Sequence, residues 1–353
     1  MKIDIEKFKN VMNYRTSCIK VSSAYEIATR ILPPQKEIIS PKLLTPRQTM
    51  AIIAPTGTGK SKLLHQIAVQ QITGQKLFGK VDVFSKPQKW LIFQIENDEY
   101  RLNSEFKKLL NPLTKHQKKL VDKHLFIQEQ YDHFLSGEYQ FQQMKFIVDE
   151  IKPDVVCFDG LIDFSQGNLN DDSSMLHTIK CLEALARGTD PKRAVILVHH
   201  STSNKAKTDD ASGFNRKDFS RNSKTLTNKV RSQINIVPNS PNNSDILNIV
   251  CAKNSNDREF EPFSVKLNGQ NGYYEYDPLI QIKPSRAKKP KKTDQIDLVK
   301  KHLDDLNVKK ILVKDMVEKL KAEGMSPSSA RSLIKKATLR EIIKKEGKLL
   351  RLL

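Results

Sequence analysis

Four short apolar runs divide the first 200 residues. Residues 50–53 are Met-Ala-Ile-Ile, and residues 90–96 read Trp-Leu-Ile-Phe-Gln-Ile-Glu. Residues 153–159 carry Val-Val-Cys-Phe before an aspartate, and residues 194–200 read Ala-Val-Ile-Leu-Val-His-His. Each run is short and bounded by polar residues, so each predicts a buried strand. Between them the period changes. Leu63, Leu64, Ile67 and Ala68 recur at helical spacing. Residues 23–32, 97–110, 139–151 and 173–187 also predict helices, the first capped by Ser23 and ended by Pro33-Pro34. Alternating strands and helices imply an α/β fold, a mostly parallel sheet covered on both faces. Residues 125–127 suggest one more short strand, and residues 112–124 read only as polar and basic. After residue 230 strands dominate, at 230–237, 246–252, 263–267 and 273–276, the last two forming a hairpin around Asn268-Gly-Gln-Asn-Gly272.

The turn after residues 50–53 carries the clearest chemistry. It reads Ala54-Pro55-Thr56-Gly57-Thr58-Gly59-Lys60-Ser61, a P-loop pattern with Ala in place of the first Gly, set between a predicted strand and a predicted helix. Gly57 and Gly59 let the backbone wrap closely round phosphate with its N–H groups inward, and the helix start adds partial positive charge. Lys60 has the reach for β- and γ-phosphates, and the Ser61 hydroxyl is a ligand for Mg²⁺. These residues imply ATP and Mg²⁺ as cofactors.

Sites in parallel sheets form at the carboxyl ends of strands. Glu96, Asp159 and the pair His199-His200 stand at such ends, as the P-loop does. Asp159 follows four apolar residues as a Walker-B-type acid does, which suits a water-mediated hold on Mg²⁺. Glu96 is the candidate general base for water. Strand alternation lets only one of His199 and His200 face the nucleotide. Lys229 and Arg231, read as alternate residues of one strand, share a side. They suit either a trans-acting finger at a neighbour's ATP site or a solvated basic edge.

Charge separates the end of the chain from the rest. The net charge is +20, and residues 283–353 hold 21 Lys and Arg against 9 Asp and Glu. Such a block suits nucleic acid. Residues 283–293 form a Lys/Pro linker, so the expected organisation is an N-terminal lead-in (1–45), an ATPase domain (46–282), that linker, and a small domain (294–353). The last has three predicted helices and a turn at Glu346-Gly347 before apolar residues, a winged-helix plan with Arg331, Lys335, Lys336 and Arg340 on or after its third helix. A helical oligomerisation module is the other reading of that segment. Four scattered cysteines without a CxxC, no apolar stretch of membrane-spanning length and no signal-peptide pattern lead to the expectation of a reduced, cytoplasmic protein.

Taken in order, Ala54–Ser61, Glu96, Asp159, His199-His200 and Lys229-x-Arg231 resemble the RecA-fold ATPases of the RepA type, ring helicases of plasmids and mobile elements. The resemblance covers about residues 23–240. It implies a RecA-like core, a hexamer with ATP sites between subunits, and DNA in a central channel. It assigns the base to Glu96, the Walker-B acid to Asp159, the sensor to the histidine pair and the finger to Arg231. Residues 165–175 and 201–222 would then face DNA, with Lys205, Lys207, Arg216, Lys217 and Arg221 against phosphate. A recombination mediator or helicase loader, and a nucleotide-sensing DNA-binding regulator, remain the competing functions.

Overall fold

The structure is a computed structural model that describes residues 22–129, 137–165, 167, 171–201, 219, 224–240, 243–280, 282, 299, 302–303, 310–322, 325–339 and 343–352. Two compact units divide the chain. The first takes residues 1–203 and 217–281, the second residues 204–216 and 282–353.

The first unit is built on a nine-stranded sheet. Its strands are β1 (Thr49–Ala54), β2 (Trp90–Gln94), β3 (Leu125–Ile127), β4 (Val155–Asp159), β5 (Ala194–His200), β6 (Ser232–Ser240), β7 (Asn243–Asn254), β8 (Phe263–Leu267) and β9 (Tyr274–Tyr276). The order is β3-β2-β4-β5-β1-β6-β7-β8-β9. From β3 to β6 all pairings are parallel, and from β6 onward they are antiparallel. The P-loop strand β1 is therefore central, and all six of its residues are buried. Its helix α2 (Lys60–Ile72) is buried around almost its whole circumference, not on one face as the apolar spacing suggested. The added burial works because its glutamines are satisfied. Gln66 bonds the backbone N and O of Tyr274 at 2.8 and 2.7 Å. Gln71 accepts from the indole N–H of Trp90 at 2.9 Å. This is the RecA-like P-loop arrangement: a central parallel sheet with an antiparallel extension.

The other described helices of this unit are α1 (Ala24–Thr29), α3 (Glu99–Leu110), α4 (Lys115–His124), α5 (Glu138–Ile151), α6 (Asp172–Arg187) and α7 (Lys224–Lys229). Two of them correct the sequence reading. The polar stretch 112–124 is helical, nucleated by a reciprocal capping box between Thr114 and Gln117, with only Val121 buried. Lys229 ends a helix in place of opening a strand, because Leu226 and Thr227 turn inward before the chain becomes extended at Ser232.

The second unit holds a three-stranded antiparallel sheet of order β10-β12-β11, from β10 (Ile311–Leu312), β11 (Ile343–Glu346) and β12 (Leu349–Leu352). Helices α8 (Val313–Ala322) and α9 (Pro327–Leu339) cover it. Ser326 caps α9 through a 3.2 Å bond to the Ser329 amide. Its own core joins Val299, Leu303, Met316, Leu320, Leu333, Ile334 and Leu350, among others. Most of the helix expected from residue 294 lies outside the described residues. No described helix is long and apolar enough to cross a membrane.

Candidate functional site

The loop from Ala54 to Ser61 turns at two left-handed glycines, Gly57 (φ 78°) and Gly59 (φ 76°). A side chain at either position would strain the backbone, which explains glycine there. Nothing lies within 4 Å of where a Cβ on Gly57 would stand, so its φ and not crowding calls for glycine there. Thr58 Oγ1 donates to the Pro55 carbonyl at 2.7 Å and Lys60 Nζ donates to the same oxygen at 3.2 Å. The loop is thus held in its cradle shape by its own side chains.

Register settles the histidine pair. His199 lies opposite Ile53 and is buried, whereas His200 lies opposite Ala54 and faces the loop. His200 Nδ1 is 3.0 Å from Lys60 Nζ and 3.2 Å from Thr56 Oγ1. An ammonium can only donate, so Nδ1 accepts and the ring proton sits on Nε2. That nitrogen stands 3.8 Å from Glu96 Oε1. His200 therefore links the P-loop lysine to the carboxylate from β2, although β4 and β5 separate β2 from β1 in the sheet.

Glu96 lies two residues beyond β2, not at its last position. The strand stops because Gln94 folds back on the bend, accepting from Asn97 N at 2.8 Å and donating to Asn97 O at 3.0 Å. Glu96 itself is 56% exposed, within reach of solvent water. Asp159 ends β4 and is buried. Burial pushes its pKa up, opposed first by a hydrogen bond from Ser61. Its Oδ2 has no hydrogen-bond partner among the described residues. Lys60 shows the converse shift, its pKa lowered by burial against the pull of Asp159 and Glu96.

Ser61 and Asp159 thus present hard oxygen donors side by side, one of them an orphaned carboxylate oxygen, as Mg²⁺ requires. Among the described residues no three His, Cys, Asp or Glu side chains form a metal cage by themselves. A cation here would complete its shell with phosphate oxygens and water.

One further residue of this cluster was not read from the sequence. Asp163 sits in the 3-10 turn Leu161–Phe164, and its amide donates to Gly160 O at 2.9 Å. Its carboxylate lies over Gly160 (φ 93°), where a Cβ would collide with it. Burial first, then Glu96 and Asp159, push its pKa up to about 6. The only signal in the sequence was the spacing Asp159-x-x-x-Asp163.

Lys229 and Arg231 do not share a strand face. Lys229 Nζ pairs with Glu183 at 3.4 Å, and Arg231 lies exposed in the bend before β6. The amide of Arg231 donates to Thr49 O, at the amino end of β1. Five residue steps of β1, about 17 Å, separate that end from the P-loop. Arg231 belongs to the opposite end of the sheet from its own chain's site.

Arg331, Lys335 and Lys336 are all exposed on α9, while Leu333, Ile334 and Ala337 are buried beneath them. Lys205, Lys207, Arg216, Lys217, Arg221 and Arg340 lie outside the described residues.

A family model described as an AAA domain matches residues 15–206. Among solved structures, a KaiC-like protein of the hyperthermophilic archaeon Pyrococcus horikoshii matches over 70% of this chain and 100% of its own, with a TM-score of 0.46 and 13% identity. No curated protein gives a significant match.

Proposed function

The chain belongs to the AAA-domain family of P-loop ATPases, and from that premise we propose that it is a DNA-dependent ATPase, a helicase of a plasmid or mobile element that works as a homo-oligomer, the hexameric ring that its resemblance implies. The observation that carries the hydrolytic part is the chain of contacts Lys60–His200–Glu96 beside Asp159. Lys60 neutralises phosphate charge. Ser61 and Asp159 would hold Mg²⁺, which would supply Lewis-acid charge to the phosphoryl oxygens. Glu96, exposed at the lip of the site, orients water and takes its proton.

His200 gives this site a means of reporting its state. Its Nδ1 takes a hydrogen bond from Lys60, and phosphate oxygens would compete for the same ammonium. Release of Lys60 removes one of the ring's contacts at the end of β5, where residues 201–222 begin. Arg231 acts in trans. A head-to-tail ring sets opposite faces of neighbouring subunits together, and Arg231 lies at the opposite end from its own P-loop.

DNA contact is supported by the charge of the second unit and by the exposed cations of α9. Its order of strand, two helices and hairpin is read as a winged-helix-like module with α9 as the recognition helix. The test is hydrolysis with and without single-stranded DNA, beside Lys60→Ala, followed by strand displacement on a forked substrate. DNA-stimulated turnover that Lys60→Ala abolishes, with unwinding, supports the proposal. Stimulated turnover without unwinding identifies a loader or mediator, and tight ATP binding without turnover a regulator.

A further inference from the structure

We propose that Lys229 is a positioning residue and not a second finger: paired with Glu183, it fixes the end of α7 so that Arg231 alone projects toward a neighbouring ATP site. The inference rests on the reading above in which Arg231 acts in trans.

The two cations have opposite surroundings. The Arg231 side chain is exposed and makes no hydrogen bond or ion pair among the described residues, while its backbone is held on both sides. Its amide donates to Thr49 O and its carbonyl accepts from the Ser255 amide, each at 2.9 Å. Val230 before it is fully buried. A fixed backbone under a free guanidinium suits a group that meets phosphate on another chain, and the planar fork can bond two phosphate oxygens at once. Lys229 directs its charge to its own chain. Its Nζ lies 3.4 Å from Glu183 Oε2, and the Glu183 side chain is only 15% exposed.

Glu183 joins the two segments that set Arg231. Its Oε1 accepts from Thr49 Oγ1 at 2.5 Å, and Arg187 Nη2 donates to the same Oγ1 at 2.8 Å. Thr49 is the residue whose carbonyl holds the Arg231 amide. One carboxylate on α6 therefore ties the start of β1 through one oxygen and the end of α7 through the other. Helix α7 needs such a tie, since its six residues are too few to hold a helix unaided. Leu226 anchors it in the core, and Lys253 Nζ donates to the carbonyls of Thr227 and Asn228 at 2.7 and 3.3 Å. The Lys229–Glu183 pair fixes its last residue, two positions before Arg231.

Reaching a neighbour's phosphate would take Lys229 off Glu183 and deprive a carboxylate largely out of water of that cation. Arg231 gives up no side-chain contact to do the same. A displacement of about 1 Å at a group that meets the transition state can lower turnover about 10²-fold. A strut at this corner thus acts on rate without touching nucleotide.

Lys229→Met, Glu183→Gln and the double variant are compared with wild type for ATP turnover, with ATP-analogue affinity as the check on folding. Glu183→Gln keeps an acceptor for Thr49 and removes only the charge. Each single change should lower turnover roughly ten- to hundredfold at unchanged affinity. The double should be no slower than the slower single, because both break one link. Effects that multiply, or loss of turnover in Lys229→Met with Glu183→Gln at the wild-type rate, show Lys229 acting on phosphate itself and overturn the inference. Wild-type turnover in both singles overturns it too. Each single is also mixed with an equal amount of Lys60→Ala, and turnover should return to about a quarter of wild type, since the Lys60→Ala neighbour supplies a well-placed Arg231. A mixture at the mean of its parts puts the fault in the variant's own site or fold and overturns the inference. Arg231→Ala mixed in the same way is the control. If it is rescued while the singles are not, the finger stands and the role of Lys229 as its support falls. If it is not rescued in an intact oligomer, Arg231 does not act in trans and the inference falls with that reading.

Discussion

Replacing Asp163 by Asn tests the electrostatics of the site through stability. In the folded chain this carboxyl, half-buried near Glu96 and Asp159, holds its proton up to about pH 6, against 3.8 for an ordinary aspartate. Folding therefore takes up a proton between those values. The associated stability is present below pH 3.8 and lost as pH rises through 6. A shift of this size corresponds to about 3 kcal/mol at most. The side chain is partly in water, so screening reduces the figure to roughly 1–2 kcal/mol. Asn cannot ionise and escapes the loss. It also breaks no hydrogen bond at Oδ2, which has no partner among the described residues. In protein stripped of metal and nucleotide, Asp163→Asn should exceed wild type by roughly 1–2 kcal/mol at pH 8, a few degrees in Tm. The advantage should shrink to a few tenths near pH 4, where the folded carboxyl is protonated and the unfolded one is about 40% protonated. Thermal unfolding across pH 4–8 in EDTA reads both values. A difference that does not change with pH, or a variant less stable at pH 8, refutes the reasoning.

Three further outcomes are expected. Glu96→Gln should keep ATP affinity and lower single-turnover hydrolysis by about 10²–10⁴-fold; unchanged turnover would remove Glu96 as the base. Lys60→Ala and Arg231→Ala should each be inactive alone, yet an equal mixture should regain about a quarter of wild-type turnover, because random neighbours then combine one intact P-loop with one intact Arg231. A mixture as inactive as its parts, while still assembled, shows that Arg231 does not act in trans. Changing Arg331, Lys335 and Lys336 together to Ala should weaken DNA binding and reduce the slope of log K against log salt by about 2–3, and an unchanged slope would take α9 out of the DNA contact.

Legibility in the sequence tracked how local the cause was. The P-loop, the buried strands and Asp159 follow from residues adjacent in the chain, and the structure has them where the pattern put them. Helix α4 was missed because its interior is polar, although Thr114 and Gln117 carried its capping signal. The strand ending at Gln94 was read too long because Ile95 continues the apolar run, while the break comes from Gln94 bonding across the bend. Lys229 and Arg231 looked like strand alternation because Val230 lies between them. What decides their geometry is packing at Leu226 and Val230, both fully buried, and packing is not written in the local pattern. Asp163 depends on a turn that exists only because Gly160 takes a positive φ after Asp159.

The direction of the pKa shifts says something that no single contact does. Lys60 is pushed toward its neutral form, and Asp159 and Asp163 are pushed toward theirs, with burial the largest cause each time. Lys60 and Asp159 attract one another, yet that attraction does not overcome the loss of water, and at Asp163 the neighbouring Glu96 and Asp159 add to the shift. A site evolved for stability alone would have paired these charges or replaced them with apolar side chains. Here Asp159 leans on Ser61, neither acid has a partner at Oδ2 among the described residues, and the lysine leans on an imidazole and a carbonyl. Each group lacks a charged partner of the kind that a nucleotide and its cation carry: phosphate for Lys60, a divalent ion for Asp159. Ligand binding should therefore raise stability by more than contact area alone implies, since it supplies charge to groups already stripped of solvent. The same deficit explains why His200 stands where it does. It is an uncharged partner for Lys60 beside the Pro55 carbonyl, and a charged phosphate oxygen makes the stronger hydrogen bond to the same ammonium.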